Sequence, residues 1–177
     1  MDIGPFRSMY AHACSQTFED GNGTLVASFR GHLTAGELDS GITSNRIIHS
    51  HDGGLSWGDA APIVRAQPGS GLWYNENQVL PLPDGRWLCM MRLNDNNVIP
   101  VFPLTMCRSH SEDKGRTWSY PVQTQFHGGE PRMVCLPDGA ILCAQTALQK
   151  TVSLTVPCAV GIRRLVKDVL ATGSVLL

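Results

Sequence analysis

The sequence is poor in charge of either sign and carries no excess of one over the other. Of its 177 residues, 14 are basic and 15 acidic, and charged residues make up only 16%. So even a balance sets up no field to steer nucleic acid or an anionic membrane, and neither is expected as a partner. No apolar run approaches the roughly 20 residues that a membrane-spanning helix needs. The opening stretch, MDIGPFRSMYAHACSQTFEDG, lacks the apolar core of a signal peptide, which favours a cytoplasmic location. The six cysteines form no CxxC pair and no metal-finger spacing, and no nucleotide-binding motif is present, so neither metal nor cofactor is expected. Most of the cysteines are read instead as small buried hydrophobes, in preference to a disulfide framework. Helical periodicity is missing except over 162–170, which leaves an all-β class.

What the sequence does have is turn chemistry and repetition. Its 18 glycines and 11 prolines suit many short strands joined by tight turns. One octet of the form S-x-D-x-G-x-[ST]-W occurs twice, as SHDGGLSW at Ser50–Trp57 and SEDKGRTW at Ser111–Trp118. A second repeat pairs LPLPDGRWLCMMR (80–92) with MVCLPDGAILCAQT (133–146), placing Cys89 over Cys143, and FEDGNGTLVASFRG (18–31) is a looser third copy. Asp52 and Asp113 are 61 residues apart, and Asp84 and Asp138 are 54 apart. Both intervals fit one four-stranded propeller blade. A degenerate third octet falls near 166–173, with Asp168 and Thr172 at the motif's Asp and Thr positions.

Each octet position has a physical task. Asp52 and Asp113 are expected to accept backbone N–H groups and close an Asx-type turn. Gly54 and Gly115 permit positive φ, and Trp57 and Trp118 pin the turn against its sheet. With Ser50 and Ser111 they are architectural, not chemical. The Pro-Asp-Gly stretches are hairpin turns between strands rich in Val, Leu, Ile, Met and Trp.

The octet resembles the Asp-box (BNR) repeat of the sialidase superfamily over roughly residues 10–146. That resemblance implies a six-bladed β-propeller, of which residues 1–177 would form an incomplete arc of about three blades. It also implies an exo-glycoside hydrolase removing terminal sialic acid or a related sugar, with a glycan or glycoconjugate as substrate. Asp39, eleven residues before Ser50, is the candidate general acid, with Glu37 as its understudy. The stretch NENQVLPLPDGRWLCMMR is similar to the family segment carrying the Glu that activates a Tyr nucleophile and, on the next strand, a carboxylate-gripping arginine. It implies those roles for Glu76 and Arg92. His12 stands where the family's first arginine is expected, and Arg30 lies two places from another expected cation. These two, with His32 and Arg132, are candidate pocket residues. Trp73 and Tyr74 could stack a sugar face.

The three tyrosines (10, 74 and 120) lie in no matching context, and the resemblance places the catalytic Tyr and the third arginine of the family's set on later blades. The chain by itself is therefore expected not to hydrolyse a glycoside, and truncation is the expected cause. The alternative is a non-catalytic propeller that binds carbohydrate or protein. Open blade edges would favour self-association.

Overall fold

The computed structural model describes residues 12–13, 17–32, 43–95, 105–147 and 159–165, and they form strands and turns without a helix. Twelve strands follow in chain order: β1 (His12–Ala13), β2 (Phe18–Glu19), β3 (Leu25–Gly31), β4 (Ser44–Ser50), β5 (Gly58–Val64), β6 (Leu72–Pro81), β7 (Trp87–Asp95), β8 (Thr105–Ser111), β9 (Val122–His127), β10 (Gly129–Cys135), β11 (Ile141–Ala147) and β12 (Ala159–Leu165). They make three antiparallel sheets. In the first, β1 and β2 share one edge of β3, followed by β4 and β5; the second is β6-β7-β8-β9 and the third β10-β11-β12. Between sheets, the inner strand β6 lies against β3 and β4 of the first sheet and against β10, the inner strand of the third. Separate antiparallel sheets packed face to face in chain order are successive blades of a propeller arc. No helix among the described residues is long and apolar enough to cross a membrane.

The helical periodicity over 162–170 is a correction. Residues 159–165 are strand β12, paired residue by residue with β11 from Ala147↔Ala159 to Ile141↔Leu165. The free edge of β11 supplies a ladder that satisfies this backbone, and Val160 and Ile162 suit a strand. The degenerate octet near 166–173 lies outside the described residues, as do Asp39 and Glu37.

The core follows from strand alternation. Along β7, Trp87, Cys89, Met91 and Leu93 pack with Val26 and Ile47 of the first blade. Leu88 and Met90, on the opposite face, pack with Met133, Ile141 and Cys143 of the third. A strand apolar on both faces can exist only where neighbours cover both, and each large side chain so buried stabilises by about 1.5–3 kcal/mol. Phe18 meets Trp87 edge-on, their ring centroids 5.0 Å apart. The Gln78 side chain joins the second blade to the third, donating to the Met133 carbonyl and accepting from the Met133 N–H.

The two octets build the same network. In each, the serine hydroxyl donates to the aspartate (2.8 Å) and accepts from the glycine N–H (2.8 Å). The aspartate accepts the N–H of Ser56 or Thr117 at 2.8 Å and the hydroxyl of the same residue at 2.6 Å. The tryptophan Nε1 donates back to the glycine carbonyl, 3.1 Å in the first and 3.0 Å in the second. These bonds, the Ser56 and Thr117 hydroxyls foremost, hold Asp52 and Asp113 down at a pKa of about 2. The four described cysteines, 89, 107, 135 and 143, are free thiols, and burial pushes Cys107 up to about 12 and Cys143 up to about 11.

Candidate functional site

Buried polar side chains gather where the inner strands of the three blades meet. Glu76 and Asn75 occupy a β-bulge in β6, between the pairs Tyr74↔Leu93 and Asn77↔Met91. Such a bulge re-aims side chains that regular alternation would send to opposite faces. Arg92 comes from the adjacent strand β7 and Arg30 from β3 of the preceding blade.

All three side chains meet at one carboxylate. Glu76 Oε1 accepts from Arg30 Nη1 at 2.9 Å and from Arg92 Nη2 at 2.9 Å. Arg92 Nε stands 2.6 Å from Oε2, an ion-pair contact whose angle falls short of a hydrogen bond. Arg30 Nη1 also donates to Asn75 Oδ1 at 2.8 Å. Asn75 is fixed in turn, because Thr43 donates to the Tyr74 carbonyl (2.8 Å) and lies 3.4 Å from Asn75 Oδ1. The Glu76 side chain is only 12% exposed, whereas Arg30 keeps 24% and Arg92 20% of theirs accessible. The carboxylate is thus a hub that orders two guanidinium groups, each with an accessible part.

The third blade closes against this group. A Cβ on Gly129 would stand 3.4 Å from Arg92 Cδ and 3.8 Å from Glu76 Oε2, so the β10 backbone runs directly over the pair. His32 is buried, and its Nδ1 has no hydrogen-bond partner. Arg132 is exposed on β10 and donates to the Pro131 carbonyl at 3.0 Å. His12 sits opposite Arg30 in the β1–β3 register, where the inner strand of the first blade corresponds to that of Glu76. Tyr74 is a correction to the sugar-stacking expectation. It is 5% exposed inside the hydrophobic core, with Trp73 packed against the same cluster. Burial also pushes the Tyr74 phenol up to about 12. Among the described residues no three His, Cys, Asp or Glu side chains are grouped to hold a metal ion.

No family model and no curated protein matches the sequence. Solved structures do. An uncharacterised protein from Dyadobacter fermentans superposes with a TM-score of 0.69 at 22% identity, over 88% of this chain and 38% of its own. The α-L-arabinanase of Penicillium chrysogenum gives 0.61 at 21% identity, over 80% and 41%. A family 117 glycoside hydrolase from Zobellia galactanivorans gives 0.63 at 12% identity, over 88% and 52%. The fold is that of propeller glycoside hydrolases. At these identities the likeness concerns the fold alone, and the chain spans about two fifths to half the length of the propellers it matches.

Gly129 and Asn75 escaped the motif reading. They gave no signal, because their importance is a contact across blades.

Proposed function

We propose that this chain forms three blades of an exo-glycoside hydrolase of propeller fold, which removes a terminal sialic acid or a related sugar from a glycan. The observation that carries this reading is the convergence of Arg30 and Arg92, from different blades, on the one buried carboxylate of Glu76. An inner-strand bulge and a charged cluster of low exposure, at the point where blades meet, are what a sugar-orienting centre requires. In this proposal Arg30 and Arg92 hold the polar groups of the terminal sugar and Glu76 fixes both guanidiniums. Asp39 is the proton donor to the leaving oxygen, and His12, His32 and Arg132 border the pocket. The nucleophilic Tyr that Glu76 would activate, and a third arginine, belong to further blades of a protein of the matched length.

A second reading, a non-catalytic glycan-binding propeller, is favoured by one detail: both Glu76 oxygens are already occupied by arginine nitrogens. The test is titration of the full chain with methyl α-L-arabinofuranoside and with the methyl glycoside of N-acetylneuraminic acid, followed by NMR. Binding of a terminal sugar that weakens about 10–100-fold in Glu76→Gln supports the proposal, since a hydrogen bond to a charged group contributes about 1.5–3 kcal/mol. Far-UV circular dichroism confirms that the variant is folded. Absence of binding by the unsubstituted chain overturns both readings. Release of 4-nitrophenol from the corresponding aryl glycoside, by the chain alone or joined to its further blades, decides for the enzyme over the scaffold.

A further inference from the structure

The first two blades meet across a layer of asparagines. Asn45 lies in β4 two residues before Ile47, and the β3–β4 register is regular over this stretch. Strand alternation therefore turns both side chains toward the second blade, where Ile47 joins the core cluster of Val79 and Met91. Asn77 lies in β6 two residues before Val79 and opposite Met91, so it faces the first blade. Asn75 reaches the same interface, because its Oδ1 accepts from Arg30 Nη1 of the first blade at 2.8 Å. The strands that carry these residues, β4 and β6, pack against one another. Asn45 is also the cross-strand neighbour of Arg30. The layer thus lies where the hydrophobic cluster gives way to the Arg30–Glu76 group.

None of these amides has its full set of partners. Asn45 and Asn77 are 0% exposed, and neither the Oδ1 nor the Nδ2 of either has a hydrogen-bond partner. Asn75 is 5% exposed and its Nδ2 is likewise unmet. Turning an amide over does not help. At Asn45 and Asn77 both ends are unmet, and at Asn75 the Arg30 guanidinium can only donate, which fixes Oδ1 toward it. Buried amides left in this state are costly, and native proteins meet them with enclosed water. Empty cavities are apolar, whereas a site with several polar groups holds water.

We propose that the first and second blades enclose a hydration site lined by Asn45, Asn75 and Asn77, whose ligand is ordered water. The unmet atoms are Nδ2 and Oδ1 of Asn45, Nδ2 and Oδ1 of Asn77, and Nδ2 of Asn75. They suit about two waters, each making about three hydrogen bonds. Water matches this mixture because it donates and accepts. A cation would meet the Nδ2 hydrogens, and an anion the Oδ1 lone pairs. The site backs Arg30, which Asn75 holds directly, and puts polar matter between its charge and the apolar core. It involves no sugar, and so stands apart from the proposed glycosidase.

The test uses the full chain. In NMR of the unsubstituted protein, NOEs from water to the side-chain NH2 groups of Asn45 and Asn77 are expected with the sign of intramolecular NOEs, which marks water held for longer than molecular tumbling. Asn45→Leu and Asn77→Leu, singly and together, then separate wet amides from dry ones by urea unfolding. With shared water, each single change strands the remaining partners and lowers the midpoint by about 0.5–1 M. The double variant loses less than the sum, because the two residues act through the same waters. A dry interface predicts the reverse, since each leucine removes an unmet amide and raises the midpoint. Rising midpoints, strictly additive losses, or absence of the water NOEs from both NH2 groups would each overturn the inference. The NOE measurement decides even where a variant does not fold.

Discussion

Replacing Gly115 by alanine is the sharpest test of how the blades are joined. Gly115 belongs to the second octet at φ +84°, and Gly54 holds the matching place in the first at φ +94°. Both substitutions carry the left-handed penalty, about 1–2 kcal/mol for a residue with a Cβ. Their surroundings then separate them. A Cβ on Gly54 would meet only Leu25 Cδ1 at 3.6 Å and Trp57 Cζ2 at 3.9 Å, ordinary contact. On Gly115 it would stand 2.5 Å from Ile47 Cδ1, which belongs to the preceding blade, and 2.8 Å from Trp87 Cζ3. Ile47 and Trp87 are buried in the first core cluster and have little room to retreat, so overpacking adds about 1–3 kcal/mol. Gly54→Ala should thus cost about 1–2 kcal/mol and Gly115→Ala about 2–5. In urea unfolding, with a slope of about 2 kcal/mol/M, the midpoint should fall by about 0.5–1 M in the first case and about 1–2.5 M in the second. Ile47→Val removes the offending Cδ1 and should recover about 1 kcal/mol in the double mutant relative to the sum of the single changes. Equal losses for the two glycines, or strict additivity with Ile47→Val, would refute the packing of the second octet on the first blade.

Two further outcomes follow from the electrostatics. Asp52 and Asp113 titrate at about 2 in the folded chain against roughly 3.9 when unfolded, so their contribution is complete above about pH 4 and is lost as pH falls toward 2. Asp113→Asn should flatten that acid transition, and an unchanged acid unfolding curve would count against the octet network. The buried thiols of Cys107 and Cys143, raised to about 12 and 11, should stay unmodified when the native chain is treated with a thiol reagent at neutral pH and digested for mass spectrometry. Among the described cysteines, Cys135, partly exposed, should be labelled first. Rapid native labelling of Cys107 would mean that the interface between the first two blades opens readily.

Much of the architecture was legible because its determinants are local. The octets close through bonds spanning two to four residues, so Ser50, Asp52, Gly54 and Trp57, with their counterparts Ser111, Asp113, Gly115 and Trp118, carry their turn within the motif itself. The Pro-Asp-Gly hairpins likewise hold register through contacts of two to four residues, as Arg86 N on Asp84 and Leu136 N on Ala140 illustrate. Glu76 and Arg92, sixteen residues apart across one such hairpin, were within reach of the same reasoning. Periodicity misled over 162–165, since a short apolar run suits helix or strand and the free edge of β11 decides between them. Sequence by itself therefore settled the all-β class, the octet turns, the Pro-Asp-Gly hairpins and the blade period. Tertiary structure alone decided that Arg30 reaches Glu76 from 46 residues away, that Tyr74 belongs to the core, and that the Gly129 backbone lies over the Glu76–Arg92 pair. The physical reason is range: a turn is written in neighbouring dihedrals and hydrogen bonds, but a site between blades exists only once separate sheets have packed.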